Sequence, residues 1–134
     1  MKKIEHLGIA VSNLEAAGET FRKLLGKASY KEEKVEREGV TTLFFQLGSN
    51  KIELLEASSQ ESTIAKFIAR RGEGMHHVAF DVDDIQAEMA RLQDEGFELL
   101  HSQPLAGADN KLICFIHPKC THGVLVELCQ EIHS

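Results

Sequence analysis

Bulky and small or polar residues alternate along two short segments of the chain. In residues 4–11, IEHLGIAV, three bulky side chains alternate with His6, a glycine and an alanine. Residues 76–82, HHVAFDV, repeat this arrangement around His77. A period of two residues is typical of a β-strand. We therefore predict two strands, each with one histidine on a face that is otherwise furnished with small side chains.

A helix start signal follows each of these strands. Ser12 or Asn13 in the first case, and Asp83 or Asp84 in the second, can accept the free N–H groups of a first helical turn. Apolar residues then recur at helical spacing and stop near a glycine. These stripes are Leu14, Ala17, Phe21, Leu24 and Leu25 in the first helix, and Ile85, Met89 and Leu92 in the second. Both helices are predicted to face the core.

Each half of the chain then offers a pair of strands joined by a turn. The predicted hairpins cover 41–48 with 49–57, and 111–118 with 122–130. Further strands are predicted over residues 28–36 and 97–103. Between the halves, residues 59–74 contain a serine followed by a helical apolar pattern, which predicts a linker helix.

The two halves are related as an internal repeat. His77 follows His6 by 71 positions and Glu127 follows Glu53 by 74 positions, so the two offsets nearly agree. We therefore predict one α+β domain over residues 1–134, made of two βαβββ modules at approximately 1–58 and 75–132.

Composition narrows the class of protein. The chain has 134 residues, 43% of them hydrophobic, and a formal net charge of −6. That charge argues against a nucleic-acid partner, which normally requires a concentrated basic surface. No apolar run approaches a membrane span and no signal peptide pattern is present, so we expect a cytoplasmic protein without a membrane partner. Three cysteines without CxxC spacing indicate reduced, structural thiols.

The paired histidines and glutamates are the candidate chemistry. Glu53 in KIELLE and Glu127 in VLVELC are carboxylates within apolar strands, where an unpaired charge is costly to bury. Each residue alone is better explained as structural or as part of an exposed strand face. Together with His6 and His77 at matching repeat positions, they favour a divalent metal site with two nitrogen and two oxygen ligands. Open positions on such a metal would permit Lewis-acid chemistry.

The chain resembles the vicinal oxygen chelate superfamily and, within it, the methylmalonyl-CoA epimerases. The resemblance is carried by HLGIAV (6–11), KIELLE (51–56), STIAKF (62–67), RGEGMHHVAFDVDDI (71–85), and HPK with GVLVEL (117–128). It implies two paired βαβββ modules that form a curved mixed sheet around a metal site. It also implies a homodimer that interconverts the (R) and (S) forms of methylmalonyl-CoA or acts on a related acyl-CoA.

The same resemblance assigns roles to particular residues. His6, Glu53, His77 and Glu127 match the four metal ligands, for one divalent ion per site. Co²⁺ is the foremost candidate, and Zn²⁺, Ni²⁺, Mn²⁺ or Fe²⁺ are alternatives. Epimerisation needs a proton to leave and return on opposite faces, and we name Glu127 first and Glu53 second as the catalytic acid/base groups. Some members of the family place a further glutamate where this chain has Thr42.

Several other polar residues have two interpretations. His76 and His117 lie beside the predicted site elements, and we expect structural roles for both. Lys111 and Lys119 either contact a CoA phosphate or are solvated. Gln46 is a candidate for orienting a water molecule.

Two alternative functions use the same scaffold. One is a glyoxalase I-like lactoylglutathione lyase, which would need the same ligands and similar proton chemistry. The other is a non-catalytic, antibiotic-sequestering binding protein. The presence of all four ligands argues against the second alternative, because sequestering members of the superfamily commonly lack them.

Overall fold

The computed structural model describes residues 1–132 and contains the order βαβββ twice, with a helix between the two copies. The strands are β1 (Lys3–Ala10), β2 (Lys31–Val35), β3 (Val40–Leu47), β4 (Asn50–Ala57), β5 (Gly74–Asp81), β6 (Leu105–Gly107), β7 (Lys111–Ile116) and β8 (Val126–Glu131). The helices are α1 (Leu14–Leu25), α2 (Thr63–Arg71) and α3 (Ile85–Asp94). The predicted α+β class, the repeat and the linker helix are confirmed.

By its internal contacts the chain divides into two compact units. The first-half unit is Leu7–His76, and the second-half unit combines Met1–His6 with the chain from His77 onward. The strands β1 and β5 therefore each contribute to both units. The assignment of the whole chain to a single domain stays a prediction. No helix among residues 1–132 is long and apolar enough to cross a membrane.

In the first-half unit the strands lie in the order β2-β3-β4-β1, and β3 is antiparallel to both β2 and β4. The helix α1 begins where the Asn13 side chain accepts a hydrogen bond from the Ala16 N–H, one of the two predicted caps. Its inner face packs on Phe45 and Leu54 through Leu14. The helix α2 covers a second apolar cluster, in which Ile64 and Leu55 are both buried.

In the second-half unit the strands lie in the order β5-β8-β7-β6, with β5 parallel to β8 and the other pairs antiparallel. Asp84 caps α3 by accepting a hydrogen bond from the Ala87 N–H, again one of the two predicted caps. The helix buries Ile85, Met89 and Leu92 against the sheet. This packing holds the centre of β8, and therefore Glu127, in the interior.

Two details differ from the sequence prediction. The strand predicted over 97–103 is wrong: that segment makes one isolated bridge, between Leu99 and Ile116, and the strand β6 begins only at Leu105. Asp109 and Asn110 both have a φ of 59°, which makes the tight turn that brings β6 beside β7. Leu24 was predicted to face the core but is 71% exposed, because the core contact in the last turn of α1 is made by its neighbour Leu25.

The cysteines behave as predicted. Cys114, Cys120 and Cys129 are free thiols, and Cys114 and Cys129 are fully buried. Burial raises the pKa of the Cys114 thiol. Burial, followed by the negative charges of Glu127 and Glu5, raises the pKa of the Cys129 thiol well above its ordinary value. Both residues are therefore protonated thiols at neutral pH, as expected for structural cysteines.

Candidate metal centre

Three of the predicted ligands lie together in the second-half unit. His6 projects from β1, His77 from β5 and Glu127 from β8, and their exposed fractions are only 5%, 7% and 6%. In the parallel pairing of β5 with β8, Ala79 lies opposite Glu127. Since Ala79 is two residues after His77, the small side chain leaves the glutamate room beside the imidazole. The small side chain predicted on this face of β5 thus lies beside the cluster.

The donor atoms of the three residues form a nearly equilateral triangle. His6 Nε2 is 3.0 Å from His77 Nε2. Glu127 Oε1 is 3.1 Å from each of those nitrogens. Ligand atoms that are about 2.1 Å from a metal ion and at right angles to one another are about 3.0 Å apart. The triangle therefore has the dimensions of three adjacent ligand positions around a single ion.

The Glu127 carboxylate presents an ionised oxygen to this cluster. Its Oε1 is buried and accepts no well-directed hydrogen bond, although two imidazole nitrogens are close. Burial alone would raise the pKa of Glu127, but the proximity of His6 and His77 outweighs burial and holds that pKa well below its usual range. The carboxylate is therefore ionised at neutral pH. An ionised, poorly satisfied oxygen between two imidazole nitrogens is a fitting ligand for a divalent cation.

A fourth buried polar residue, Glu5, lies directly behind His6. Its Oε1 is 2.8 Å from His6 Nδ1, and the exposed fraction of Glu5 is 4%. Lys111 Nζ lies 4.0 Å from the other oxygen, Oε2. The sequence analysis missed Glu5, because strand alternation places neighbouring residues on opposite faces and therefore away from each other. The local sequence holds no signal for this contact, which depends on the long side chain of Glu5 folding back and on Lys111 from β7.

A second set of ligand atoms shares His6. The donor atoms of Glu5, His6 and Cys129 also lie within 4.8 Å of one another. A metal ion there would have to displace the proton of a thiol whose pKa is raised. The set of His6, His77 and Glu127 needs no such displacement, because its carboxylate is already ionised. We therefore regard the latter set as the candidate metal centre.

Glu53 belongs to the first-half unit. It lies on β4 opposite Phe44 of β3, and its exposed fraction is 6%. A carboxylate this well buried fits the expectation of a compensating partner. Its assignment as the fourth ligand stays a prediction.

Thr42 and Gln46 both lie on β3. Thr42 is only 1% exposed, which places it in the interior at the position where some family members have a glutamate. The Gln46 side-chain amide donates hydrogen bonds to the backbone oxygens of Gly48 and Asn50. Gln46 therefore holds the β3–β4 turn.

The remaining residues that the sequence singled out are explained by local contacts. The His76 ring packs edge-on against Phe67, at 5.0 Å between centroids, as expected for a structural residue. His117 Nδ1 accepts a hydrogen bond from the Lys119 N–H at the start of a 3-10 turn. Lys119 is 62% exposed and pairs with Glu98, whereas the Lys111 side chain is only 12% exposed. The expectation of a solvated lysine is thus met by Lys119 and is wrong for Lys111.

Comparison with known families agrees with the fold. The family model described as the Glyoxalase/Bleomycin resistance protein/Dioxygenase superfamily matches residues 5–115. The chain therefore belongs to this superfamily. The matched range of the chain includes His6, Glu53 and His77. Glu127 lies beyond the matched range.

Relatives within the superfamily are more specific. The chain is 39% identical to the ethylmalonyl-CoA/methylmalonyl-CoA epimerase of Cereibacter sphaeroides, over 96% of this chain and 97% of that protein. It is 38% identical to the uncharacterized protein YqjC of Bacillus subtilis, over 97% of this chain and 93% of that protein. The solved complex of Streptomyces coelicolor methylmalonyl-CoA epimerase with 2-nitronate-propionyl-CoA superposes with a TM-score of 0.96 at 34% identity, covering 99% of both chains. The predicted resemblance to the methylmalonyl-CoA epimerases is confirmed.

Proposed function

We propose that this protein is a metal-dependent epimerase that interconverts (R)- and (S)-methylmalonyl-CoA. The observation that carries the proposal is the buried triangle of His6 Nε2, His77 Nε2 and Glu127 Oε1, with separations of 3.0 to 3.1 Å. Similarity over nearly the whole chain to proteins named as methylmalonyl-CoA epimerases supports the choice of substrate. A solved epimerase complex with methylmalonyl-CoA, at 34% identity and a TM-score of 0.94, supports it further.

The residues divide the work as follows. His6, His77 and Glu127 would hold a divalent cation, with Glu53 proposed as the fourth ligand from its repeat position. Such a cation would stabilise the negative charge that develops on a thioester oxygen as the neighbouring C–H bond breaks. The surrounding side chains keep bulk water from the site, because all three clustered ligands are less than 10% exposed.

Proton transfer is assigned to carboxylates. When the α-proton leaves, its bonding electrons become the enolate and the proton goes to a carboxylate oxygen; return of a proton to the opposite face inverts the centre. Glu127 is the first candidate, since a carboxylate loosened from the metal could reach a proton of the substrate. Glu53 is the second candidate, since Thr42 cannot serve as an acid/base group at neutral pH.

The proposal extends to the metal, the oligomeric state and the location of the protein. A donor set of imidazole and carboxylate without thiolate suits Co²⁺, our foremost candidate, and also Zn²⁺, Ni²⁺, Mn²⁺ and Fe²⁺. The homodimer and the cytoplasmic location stay predictions from the family resemblance and from the sequence.

The proposal is tested by incubating Co²⁺-loaded protein with (S)-methylmalonyl-CoA in D₂O. We expect deuterium to enter at the α-carbon while the stereochemistry of the substrate at that carbon is lost. Methylglyoxal with glutathione is assayed in parallel with the same protein. Turnover of the glutathione adduct alone would replace the epimerase by a lactoylglutathione lyase. Turnover of neither substrate would favour a binding protein.

A further inference from the structure

Glu5 is 4% exposed, less than any of the metal-ligand candidates, and its carboxylate contacts one of them. From this contact we infer that Glu5 is a positioning residue for the metal centre: it accepts a hydrogen bond from His6 Nδ1–H and thereby presents Nε2 to the ion. The inference rests on the proposed metal centre. It adds a residue outside the proposed set of ligands.

The geometry fixes which nitrogen of His6 carries a proton. A carboxylate can only accept a hydrogen bond, and Glu5 Oε1 is 2.8 Å from Nδ1, so the proton of the neutral ring lies on Nδ1. Nε2 then carries a free lone pair, and this is the atom 3.0 Å from His77 Nε2 and 3.1 Å from Glu127 Oε1. A metal ligand must offer such a lone pair. The hydrogen bond also fixes the rotation of the ring about its Cβ–Cγ bond.

The positive charge of Lys111 offsets part of the free-energy cost of burying the Glu5 carboxylate. An isolated ionised carboxylate is costly to remove from water. The Lys111 ammonium lies 4.0 Å from Glu5 Oε2, and its side chain is 12% exposed. Since Oε1 faces the imidazole and Oε2 faces the ammonium, each oxygen has a positively polarised group beside it. Lys111 therefore contacts Glu5, and Glu5 contacts the ring of His6, whose other nitrogen is the proposed ligand atom.

Two substitutions at Glu5 separate the hydrogen bond from the rest of the side chain. Glu5→Gln keeps an oxygen that can accept the Nδ1 proton, whereas Glu5→Leu has a similar volume and no acceptor. Loss of an outer hydrogen-bond partner typically weakens metal binding by about 10- to 100-fold. We expect a loss of this size for Glu5→Leu, and of no more than about five-fold for Glu5→Gln. Affinity is measured by titrating metal-free protein with Co²⁺ against a competing chelator.

The absorption spectrum of bound Co²⁺ gives a second readout that does not depend on turnover. We expect its visible bands to shift in Glu5→Leu, because His6 is no longer held in one orientation, and to stay close to the parent spectrum in Glu5→Gln. The double variant Glu5→Leu with Lys111→Met removes both buried charges. We expect Glu5→Leu to weaken Co²⁺ binding by the same factor in the Lys111→Met protein as in the parent protein. That result would exclude an unpaired lysine as the cause of the weaker binding. This pair also serves if the single Leu variant does not fold.

The possible outcomes separate the role of Glu5 from the proposed metal centre. Equal Co²⁺ affinity and equal spectra for the parent, Gln and Leu proteins would overturn the role of Glu5 and leave the metal centre standing. A lower stability of metal-free Glu5→Leu in urea with unchanged Co²⁺ binding by the folded protein would overturn it in the same way. A parent protein that binds no Co²⁺ would overturn the metal centre itself, and with it the role of Glu5.

Discussion

The two histidines of the repeat occupy equivalent positions but are supported by different neighbours. Behind His6, the preceding residue Glu5 turns inward and contacts Nδ1 at 2.8 Å. Beside His77, the preceding residue His76 instead packs against Phe67, and the His77 ring lies edge-on to Phe115 at 5.8 Å between centroids. The repeat thus duplicates the ligand atom and not the surroundings that hold it. Equivalent substitutions in the two halves should therefore have unequal effects.

The largest effect is expected at Glu127, which lies 3.1 Å from a nitrogen of each histidine. Glu127→Gln removes the ionised oxygen, both as a ligand and as a proton acceptor. We expect the exchange of the substrate α-proton with D₂O to fall by at least about 10³-fold, since general acid–base catalysis contributes about 10²- to 10⁴-fold. Mass spectrometry of the recovered thioester measures the exchange, and circular dichroism controls for folding. Undiminished exchange would assign the proton transfer to another group.

Next come the ligands themselves. We expect His6→Ala and His77→Ala each to weaken Co²⁺ binding by at least about 100-fold, more than the loss of an outer partner alone. The loss is measured by chelator competition on metal-free protein. Similar losses of affinity would show that the Nε2 atoms of His6 and His77 are equivalent as ligands. The two halves would then differ only in the residues that hold each histidine ring. If one alanine variant kept the parent affinity, the triangle would not be the ligand set.

Phe115 tests the support of His77. Replacing an aromatic ring that packs edge-on against another ring removes a contact worth about 1 kcal/mol. We therefore expect Phe115→Leu to lower the free energy of unfolding by about this amount and to change Co²⁺ affinity by less than about three-fold, since packing is lost and no hydrogen bond is broken. Urea unfolding and chelator competition provide the two measurements. A loss of affinity as large as that of Glu5→Leu would show that both histidines depend equally on their neighbours.

The repeat arithmetic was sufficient to predict the order of elements and the paired histidines. His6 and His77 lie in segments where bulky residues alternate with small or polar ones. This pattern can be recognised in a single sequence, because one face of such a strand must be apolar. Asn13 and Asp84 could be named as candidate caps because a helix start leaves N–H groups without partners. These are local properties, and the chain itself encodes them within a few residues.

The failures have a common physical cause, which is that spacing along the chain does not fix where a long side chain points or where a turn falls. Glu5 was missed because its burial depends on His6 and on Lys111 of β7. The strand β6 was misplaced because its position follows from the turn at Asp109 and Asn110. The hydrogen bonds from the Gln46 side-chain amide to two backbone oxygens of its own turn were not predicted, and its role in orienting a water stays a prediction. Hydrogen-bond partners of long side chains are set by tertiary packing, so spacing alone does not predict them.

The smallest expected effect compares the helices of the two halves, which carry matching surface ion pairs. Glu19 pairs with Arg22 on α1 and Glu88 with Arg91 on α3, each with a spacing of three residues. A hydrogen bond from the arginine lowers the pKa of each glutamate. A lowered pKa in the folded state means that the stabilisation is present above the ordinary glutamate pKa and is lost as the pH falls through the folded value.

We therefore expect Glu88→Gln to lower the free energy of unfolding by roughly 0.3–0.5 kcal/mol at about pH 7, and by less at about pH 3. Glu19→Gln should change in the same direction. Urea unfolding at the two pH values measures both variants against the parent protein. A difference that is the same at both pH values would show that the glutamate charge is not its cause. Because these pairs lie on the outer helices, we expect Co²⁺ affinity to be unchanged in both variants. Unchanged Co²⁺ affinity in both variants would show that the helix surfaces do not affect the metal centre. The two halves would then differ, with respect to metal binding, only in the surroundings of His6 and His77.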